Sequence, residues 1–82
     1  MFTQEQKREY QLKRKSFLLK NKFCVVSKEL RLGEVPATHV HHIRGRKNHY
    51  LDESTFLACS KWGEHWIHSN PELAKTFGFL LT

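Results

Sequence analysis

Two short runs of alternating or β-branched residues constrain this fold more than any other feature of the chain. Residues 38–43 (THVHHI) form the first run, and residues 54–59 (STFLAC) form the second. Gly45 ends the first run, and a polar, basic loop over residues 46–50 follows it. Because short strands joined by a polar loop pair antiparallel, the sequence predicts a β-hairpin.

A basic helix is predicted ahead of this hairpin. Thr3 and Gln6 have the spacing of a capping box, and neither Gly nor Pro interrupts the chain before about Lys20. Apolar residues are sparse before residues 17–19, so we expect only the last turns of this helix to dock firmly. After the helix, residues 23–26 (FCVV) favour a short extended segment.

Two helices are predicted after the hairpin. Ser60 is a suitable N-cap for a helix that runs to about His68. Asn70 and Pro71 provide a second start signal, with Asn70 as the cap and Pro71 at the first helical position. Gly78 is a natural residue for the end of that last helix.

These elements are expected to form one small α+β domain, since an 82-residue chain seldom divides into two cores. The composition, 39% hydrophobic with six Phe, two Trp and two Tyr, is sufficient for a compact core. We divide the domain into a basic helical arm (1–22), a core of hairpin and helix (37–70) and a C-terminal helix and tail (71–82).

Positive charge is concentrated in the first half of the chain. Residues 1–50 contain twelve Lys or Arg and four Glu, whereas residues 51–82 contain two Lys and four acidic residues, and the net charge is +6. Such a surface indicates a polyanionic partner, most simply DNA, with an acidic membrane surface as the alternative. For the helical arm, simple solvation without a binding role is also an alternative. The candidate DNA contacts are Lys13, Arg14, Lys15, Lys47 and Asn48.

Cys24 and Cys59 are too few for a disulfide framework. Free thiols are typical of a reducing compartment. The longest apolar runs have four or five residues, which is too short to cross a membrane. The sequence therefore predicts a cytoplasmic protein.

Metal-ligating residue types occur on both sides of the second strand. His41 and His42 end the first strand, and Glu64, His65 and His68 lie in the helix after the hairpin. On a helix, Glu64 and His68 share one face, one turn apart. Two donors on a helix and one on a strand can hold a divalent metal that keeps positions open for phosphate and water. A further histidine nearby could take a proton from the attacking water, so the pattern indicates metal-assisted phosphodiester hydrolysis.

At these residues the sequence resembles the HNH endonucleases, a family with the ββα-metal fold. Residues 37–46 (ATHVHHIRGR) are similar to the first-strand motif of the family, and residues 51–59 (LDESTFLAC) to its second strand. Residues 65–71 (HWIHSNP) look like its helix and exit, and residues 16–24 (SFLLKNKFC) resemble the lead-in of phage and bacterial members. The resemblance covers about residues 16–82.

The resemblance implies roles for the histidine cluster. It implies that His41 is a metal ligand, that His42 is the general base which activates water, and that His68 is the last metal ligand. The middle ligand is expected to be Glu64, where many members have histidine. His65 is the alternative for that position.

Two further roles are expected beside the histidine cluster. The asparagine that orients the base in the family falls near Ser54 or Thr55 here, and either hydroxyl could replace it; Thr55 is the candidate, and Asn48 in the loop is a further alternative. Arg44 and Arg46 flank Gly45 beside the site, and a guanidinium there could hold the scissile phosphate. Solvated loop charges are the alternative for both arginines.

A carboxylate in the ligand set favours Mg²⁺ or Mn²⁺, with Ni²⁺ or Zn²⁺ as alternatives. Many members of the family also hold a structural zinc with two Cys-x-x-Cys pairs. Here the first pair reads Cys24-x-x-Ser27 and the second keeps only Cys59, so structural zinc is not expected. We expect both thiols to pack in the core, and a mixed site with His65 is the alternative.

The expected function is therefore metal-dependent DNA cleavage of low sequence specificity, on phage or host DNA in a bacterial cytoplasm. A monomer or homodimer is expected, and a phage packaging or host protein is a further candidate partner. One alternative is a non-catalytic nucleic-acid-binding module on the same fold. Another is a basic protein that docks on an acidic partner.

Overall fold

A two-stranded hairpin lies between one long helix and three shorter ones in the computed structural model, which describes residues 2–46 and 48–81. The α+β class predicted from the sequence is confirmed. A 3₁₀ turn over Glu53–Thr55 precedes the second strand. In chain order the helices and strands are α1 (Gln4–Lys20), α2 (Val25–Glu29), β1 (His39–His42), β2 (Phe56–Cys59), α3 (Lys61–Ser69) and α4 (Pro71–Phe77).

The hairpin has the antiparallel pairing that the two alternating runs predict. His41 pairs with Leu57, and His42 pairs with Phe56 at the end nearest the connecting loop. The Ile43 amide continues the ladder by donating to the Thr55 carbonyl at 2.9 Å. These bonds fix the register, and in a strand the register decides which side chains face each side.

Two separate groups of buried side chains pack on the hairpin. The first, which we call the helix-side core, lies against α2, α3 and α4. The second, the arm-side core, lies against α1. Phe56 belongs to the arm-side core whereas its neighbour Leu57 packs on the helix-side core, as the pleat requires. The buried members of the helix-side core are Cys24, Val26, Cys59, Ile67, Ala74 and Phe79, and those of the arm-side core are Tyr10, Val40 and Phe56.

Helix α1 begins with the predicted capping box but docks differently from the prediction. The Gln6 amide donates to the Thr3 hydroxyl, and the Thr3 amide donates to the Gln6 side chain. The prediction that only the last turns of the helix dock firmly was wrong. Tyr10, in the middle of the helix, is only 4% exposed, whereas Leu19 in the last turn is 64% exposed. The rings of Tyr10 and Phe17 both reach Phe56 of the hairpin, and these tertiary contacts have no periodic signal in a helix of low overall amphipathicity.

The extended segment predicted over residues 23–26 is also largely wrong. Phe23 makes one isolated bridge to Pro36, and α2 begins at Val25. The Ser27 amide donates to the Cys24 sulfur at 3.5 Å, so a thiol caps this helix. Val26 and Ser27 are fully buried, and this burial outweighs the β propensity of the two valines.

Helices α3 and α4 follow their predicted signals closely. The Ser60 hydroxyl accepts from the Gly63 amide at 2.9 Å, which begins α3. Pro71 stands in the first turn of α4, but the Asn70 side chain donates backwards to the Trp66 carbonyl instead of capping α4. Gly78 ends α4 with a φ of +81°, a left-handed conformation that favours glycine.

The turn at Gly78 sends the chain back to the hairpin. The Phe79 amide donates to the Ala74 carbonyl at 2.8 Å, and the Leu81 amide donates to the Ile43 carbonyl at 2.7 Å. These bonds bring the Phe79 backbone alongside β1. In the described part of the chain, no helix is both long and apolar enough to cross a membrane.

Candidate metal centre

Three of the predicted metal ligands converge at the end of β1. One ring nitrogen of His41, one ring nitrogen of His68 and a carboxylate oxygen of Glu64 all lie within 4.8 Å of one another. The rings of His41 and His68 meet edge to face, with their centroids 5.7 Å apart. Within residues 2–46 and 48–81, this is the group of His, Cys, Asp and Glu side chains that could hold a metal ion.

His41 is the buried member of this group, and a backbone carbonyl sets its orientation. Its Nε2 lies 3.1 Å from the Phe79 carbonyl oxygen, which can only accept, so Nε2 carries the proton. Nδ1 is then the nitrogen with a free lone pair. Burial lowers the pKa of His41, with Glu64 opposing the effect, so the neutral form needed for metal binding is favoured.

The geometry of α3 separates Glu64 from His65. Glu64 and His68 are one turn apart, and the His68 Nε2 lies 4.0 Å from the Glu64 Oε1. His65 is exposed, and its Nε2 lies 3.4 Å from the Ser69 hydroxyl. The structure thus brings Glu64 to His41 and leaves His65 outside the group.

His42 packs on the other side of β1, as neighbouring strand residues do. It is only 4% exposed, and its ring contacts Phe56, Tyr10 and Tyr50 of the arm-side core and the loop. Its Nε2 lies 3.1 Å from the Tyr50 carbonyl oxygen, so Nε2 holds the proton and Nδ1 is basic. Burial lowers the pKa of His42, which keeps the imidazole neutral at pH 7.

One pocket connects the two sides. It has a volume of about 270 Å³ and is lined by both strand histidines together with residues from the loop and from α3. Both histidines therefore border one cavity, although their rings lie on opposite sides of β1. The lining residues are Val40, His41, His42, Gly45, Arg46, Glu64 and His68.

The Thr55 hydroxyl makes no hydrogen bond to His42 among the described residues. The Thr55 hydroxyl donates to the Asp52 carbonyl at 2.7 Å and so closes the 3₁₀ turn. Ser54 is likewise occupied, since its hydroxyl donates to the Asp52 carboxylate at 2.6 Å. The group that orients His42 is instead the main-chain carbonyl of Tyr50.

The two candidate arginines have different positions. Arg46 lines the pocket beside the histidines, whereas Arg44 is exposed and is not among the lining residues. The guanidinium carbon of Arg46 lies 5.7 Å from the centre of the Tyr10 ring and 6.0 Å from that of Tyr50. Of the two, Arg46 is therefore the one that lies at the pocket.

Two of the residues predicted to contact DNA, Lys13 and Arg14, instead bond to other segments of the protein. Lys13 donates to the Leu51 carbonyl at 3.1 Å and lies within 4.0 Å of Glu9 and Glu53. Arg14 donates to the Thr38 carbonyl at 2.6 Å, which ties α1 to the start of β1. Lys15 and Asn48 are exposed, and Lys47 lies outside the described residues.

Both thiols pack in the helix-side core, as expected. Cys24 and Cys59 are fully buried, and burial raises the pKa of Cys59 to about 12. The Cys24 sulfur accepts from the Ser27 amide and from the Ser60 hydroxyl, each at 3.5 Å. His65, the third member of the alternative mixed site, is exposed.

Sequence reasoning missed three contributors to this site. Tyr10 and Tyr50 supply aromatic surfaces around His42 and Arg46, and Phe79 supplies the carbonyl that orients His41. Main-chain carbonyls have no residue-type signal. The tyrosines belong to distant segments, and only the docking of α1 brings them together.

Comparisons with protein-family models, with curated proteins and with solved structures returned no match for this chain.

Proposed function

We propose that this protein is a divalent-metal-dependent endonuclease that hydrolyses phosphodiester bonds in DNA, with the ββα-metal arrangement of the HNH family. The observation that carries the proposal is the convergence of His41, Glu64 and His68 beside a separate neutral histidine, His42, in one pocket. A metal site and a neighbouring base are the two requirements of metal-assisted hydrolysis.

The donor set fits a divalent ion. Ligands at about 2.1 Å from an ion stand about 3–3.5 Å apart when adjacent, so a small change of the exposed His68 rotamer closes a 4.8 Å group. The carboxylate suits Mn²⁺ or Mg²⁺, and the two imidazoles suit Ni²⁺ or Zn²⁺. The ion, when bound, would supply Lewis-acid stabilisation of the negative charge on the reacting phosphate.

His42 is the proposed general base. Its Nε2 proton is held by the Tyr50 carbonyl, so Nδ1 can accept a proton from the attacking water. The contact with Tyr50 would also stabilise the imidazolium that forms. Arg46, on the same pocket, is proposed to bind a non-bridging oxygen of the phosphate and to offset its charge.

DNA is proposed as the substrate because the basic residues lie largely in the first half of the chain, which includes Arg46. Contacts of this type bind the phosphate backbone, so the cleavage is proposed to have low sequence specificity. A bacterial cytoplasm, phage or host DNA and a phage packaging or host protein as partner are proposed from the family resemblance alone.

The test is nicking of supercoiled plasmid by the full chain in Mg²⁺, Mn²⁺, Ni²⁺ or EDTA. Wild type should nick the plasmid only with metal, and His42→Ala should lose at least 100-fold in rate, the lower range for a general base. His39→Ala is the matched control, because His39 is in the same strand but its Nδ1 is 2.7 Å from the Thr38 hydroxyl, and it is not one of the pocket-lining residues.

A non-catalytic binding module is the second candidate. It is favoured by the position of Thr55, whose hydroxyl bonds to the Asp52 carbonyl and not to the base. This candidate predicts plasmid binding that weakens with salt and no nicking in any of the four conditions. Nicking that persists in EDTA would contradict both candidates.

A further inference from the structure

Three aromatic rings form a stack beside the candidate site. The rings of Phe2 and Tyr50 are 3.9 Å apart at 12°, and those of Tyr50 and Tyr10 are 4.5 Å apart at 24°. His42 lies against this stack, 5.5 Å from Tyr10 and 6.2 Å from Tyr50. The stack thus connects the N-terminal end of α1 to the loop that follows β1.

Arg46 rests on two rings of this stack. Its guanidinium carbon is within 6.0 Å of the centres of both Tyr10 and Tyr50, the range of a cation–π interaction. Among the ion pairs of the described residues, none involves Arg46. The aromatic rings are therefore what restrains a long side chain on an otherwise exposed loop.

This kind of restraint differs chemically from an ion pair. A carboxylate partner would occupy the N–H donors of the guanidinium, whereas a ring touches only its flat face. An arginine held by rings keeps its planar fork of donors available for a phosphate. It also loses less rotamer entropy when the phosphate binds, because its position is already limited.

We propose that Tyr10 and Tyr50 form an aromatic seat that holds the Arg46 guanidinium at the pocket and leaves most of its N–H donors for the DNA phosphate. Tyr10 is thus a positioning residue, and α1 contributes to the site through this ring as well as through its basic charge. The inference rests on the proposed function for the identity of the phosphate, but the seat also has a consequence for DNA binding without metal.

The test is a double-mutant cycle with Tyr10→Leu, Arg46→Ala and the double variant. Nicking rates are measured in Mn²⁺ at several plasmid concentrations, and binding of a labelled duplex is measured in EDTA. Tyr10→Leu should weaken DNA binding and raise KM about two- to fivefold, the range for a cation–π contact. In the Arg46→Ala background the same change should have no further effect.

Conservative variants keep the test specific. Tyr10→Phe retains the ring but removes the hydroxyl that lies beside Arg46, and it should stay within about twofold of wild type if the ring supplies the restraint. Tyr50→Leu removes the other ring but keeps the backbone carbonyl that orients His42, and it serves as the second variant if Tyr10→Leu fails to fold. Circular dichroism melts establish that each variant is folded at the assay temperature.

The outcomes separate the seat from the proposed function. Coupling between Tyr10 and Arg46 in binding, with no nicking by wild type, would support the seat and overturn the nuclease. Nicking by wild type with equal losses from Tyr10→Leu in both backgrounds would support the nuclease and overturn the seat. A wild type that neither binds nor nicks DNA would overturn both.

Discussion

At the scale of single residues, two main-chain carbonyls distinguish the neighbouring histidines of β1. Phe79 orients His41 and Tyr50 orients His42, in each case through a carbonyl oxygen that accepts a hydrogen bond from Nε2 at 3.1 Å. A histidine whose second nitrogen is held in this way presents a defined lone pair to its partner. The two rings can therefore have different roles although they are adjacent in sequence.

Metal binding should depend on Glu64 and not on its neighbour. Glu64→Gln removes the proposed carboxylate ligand, and we expect Mn²⁺ affinity to fall at least tenfold, since even changes to groups behind the ligands of a metal cost about 10–100-fold. His65→Gln is the matched control in the same helix turn and should bind Mn²⁺ like wild type. Calorimetric titration of the full chain measures both. Equal losses in the two variants would contradict the ligand assignment.

The metal-free protein should lose stability in mild acid. Burial lowers the pKa of both His41 and His42, so the unfolded chain, with ordinary values of about 6.5, takes up these protons first. The contribution of these two histidines to the free energy of unfolding is complete above about pH 6.5. It is lost as the pH falls through their pKa values in the folded state. Glu64 and His68 face His41, and Arg46 faces His42, so their charges are part of the effect.

Urea unfolding in EDTA at pH 7.5 and pH 5.5 measures this loss. A lower midpoint at pH 5.5 is expected for wild type and equally for His39→Gln, whose ring is only partly buried. Identical midpoints at the two pH values in wild type would show that neither His41 nor His42 is buried in its neutral form.

At the scale of elements, the start of α3 is set by a close approach to α2. A Cβ on Gly63 would lie 2.7 Å from the Cys24 sulfur and 3.3 Å from the Val26 Cβ. Gly63 therefore allows the N-terminal end of α3 to touch the buried face of α2. The contact also positions the turn that carries Glu64.

Gly63→Ala should destabilise the protein despite the better helix propensity of alanine. Overpacking against the Cys24 sulfur costs about 1–3 kcal/mol, which exceeds the gain of about 1 kcal/mol expected for an exposed helix position. His65→Ala, at an exposed site of the same helix, is the control and should change stability little. Urea midpoints compare the variants, and a more stable Gly63→Ala protein would refute the close contact.

The elements also show which structural features a sequence can predict. The capping box at Thr3, the Ser60 cap and the Gly78 ending are local, so their chemistry is present in a few adjacent residues. The short helix α2 is not local, because burial of Val26 against other segments overrides the β propensity of its sequence. Docking by Tyr10 likewise depends on the hairpin surface.

The features of the candidate site likewise divide into those that the local sequence predicts and those that depend on distant segments. Spacing alone places Glu64 and His68 on one helix face, but it leaves His65 as an alternative until the rotation of α3 about its axis is known. The partner of His42 could not be predicted, since the acceptor is a main-chain oxygen of a loop residue, Tyr50. Roles that depend on long-range contacts therefore needed the structure.

At the scale of the whole molecule, α1 is part of the fold. Tyr10 completes the arm-side core with Val40 and Phe56, and Lys13 and Arg14 bond to the loop and to the strand entrance. A basic arm that only solvates the protein or binds DNA would be removable without loss of structure. The contacts indicate instead that the hairpin needs this helix.

Deletion of residues 1–15 should therefore destabilise the domain, because Val40 and Phe56 lose their cover. Loss of a large buried aromatic costs about 3–5 kcal/mol, so the melting transition should move sharply down or disappear. The matched variant replaces the exposed Lys7, Arg8 and Lys15 with Gln in the full chain. It should melt like wild type and bind DNA with a weaker salt dependence. An unchanged melt after deletion would contradict the arm-side core.

The placement of the two histidines on opposite sides of one strand has a consequence for the safety of a cell that makes such a protein. His41 depends on the helix-side core through Phe79, and His42 depends on the arm-side core through Tyr10 and Tyr50. On the proposed function, a chain that has formed only one core, during synthesis or after damage, would have either a metal site without a base or a base without a metal site. On the proposed function, cutting of DNA would then begin only when folding is complete, and incompletely folded copies would be harmless to the genome.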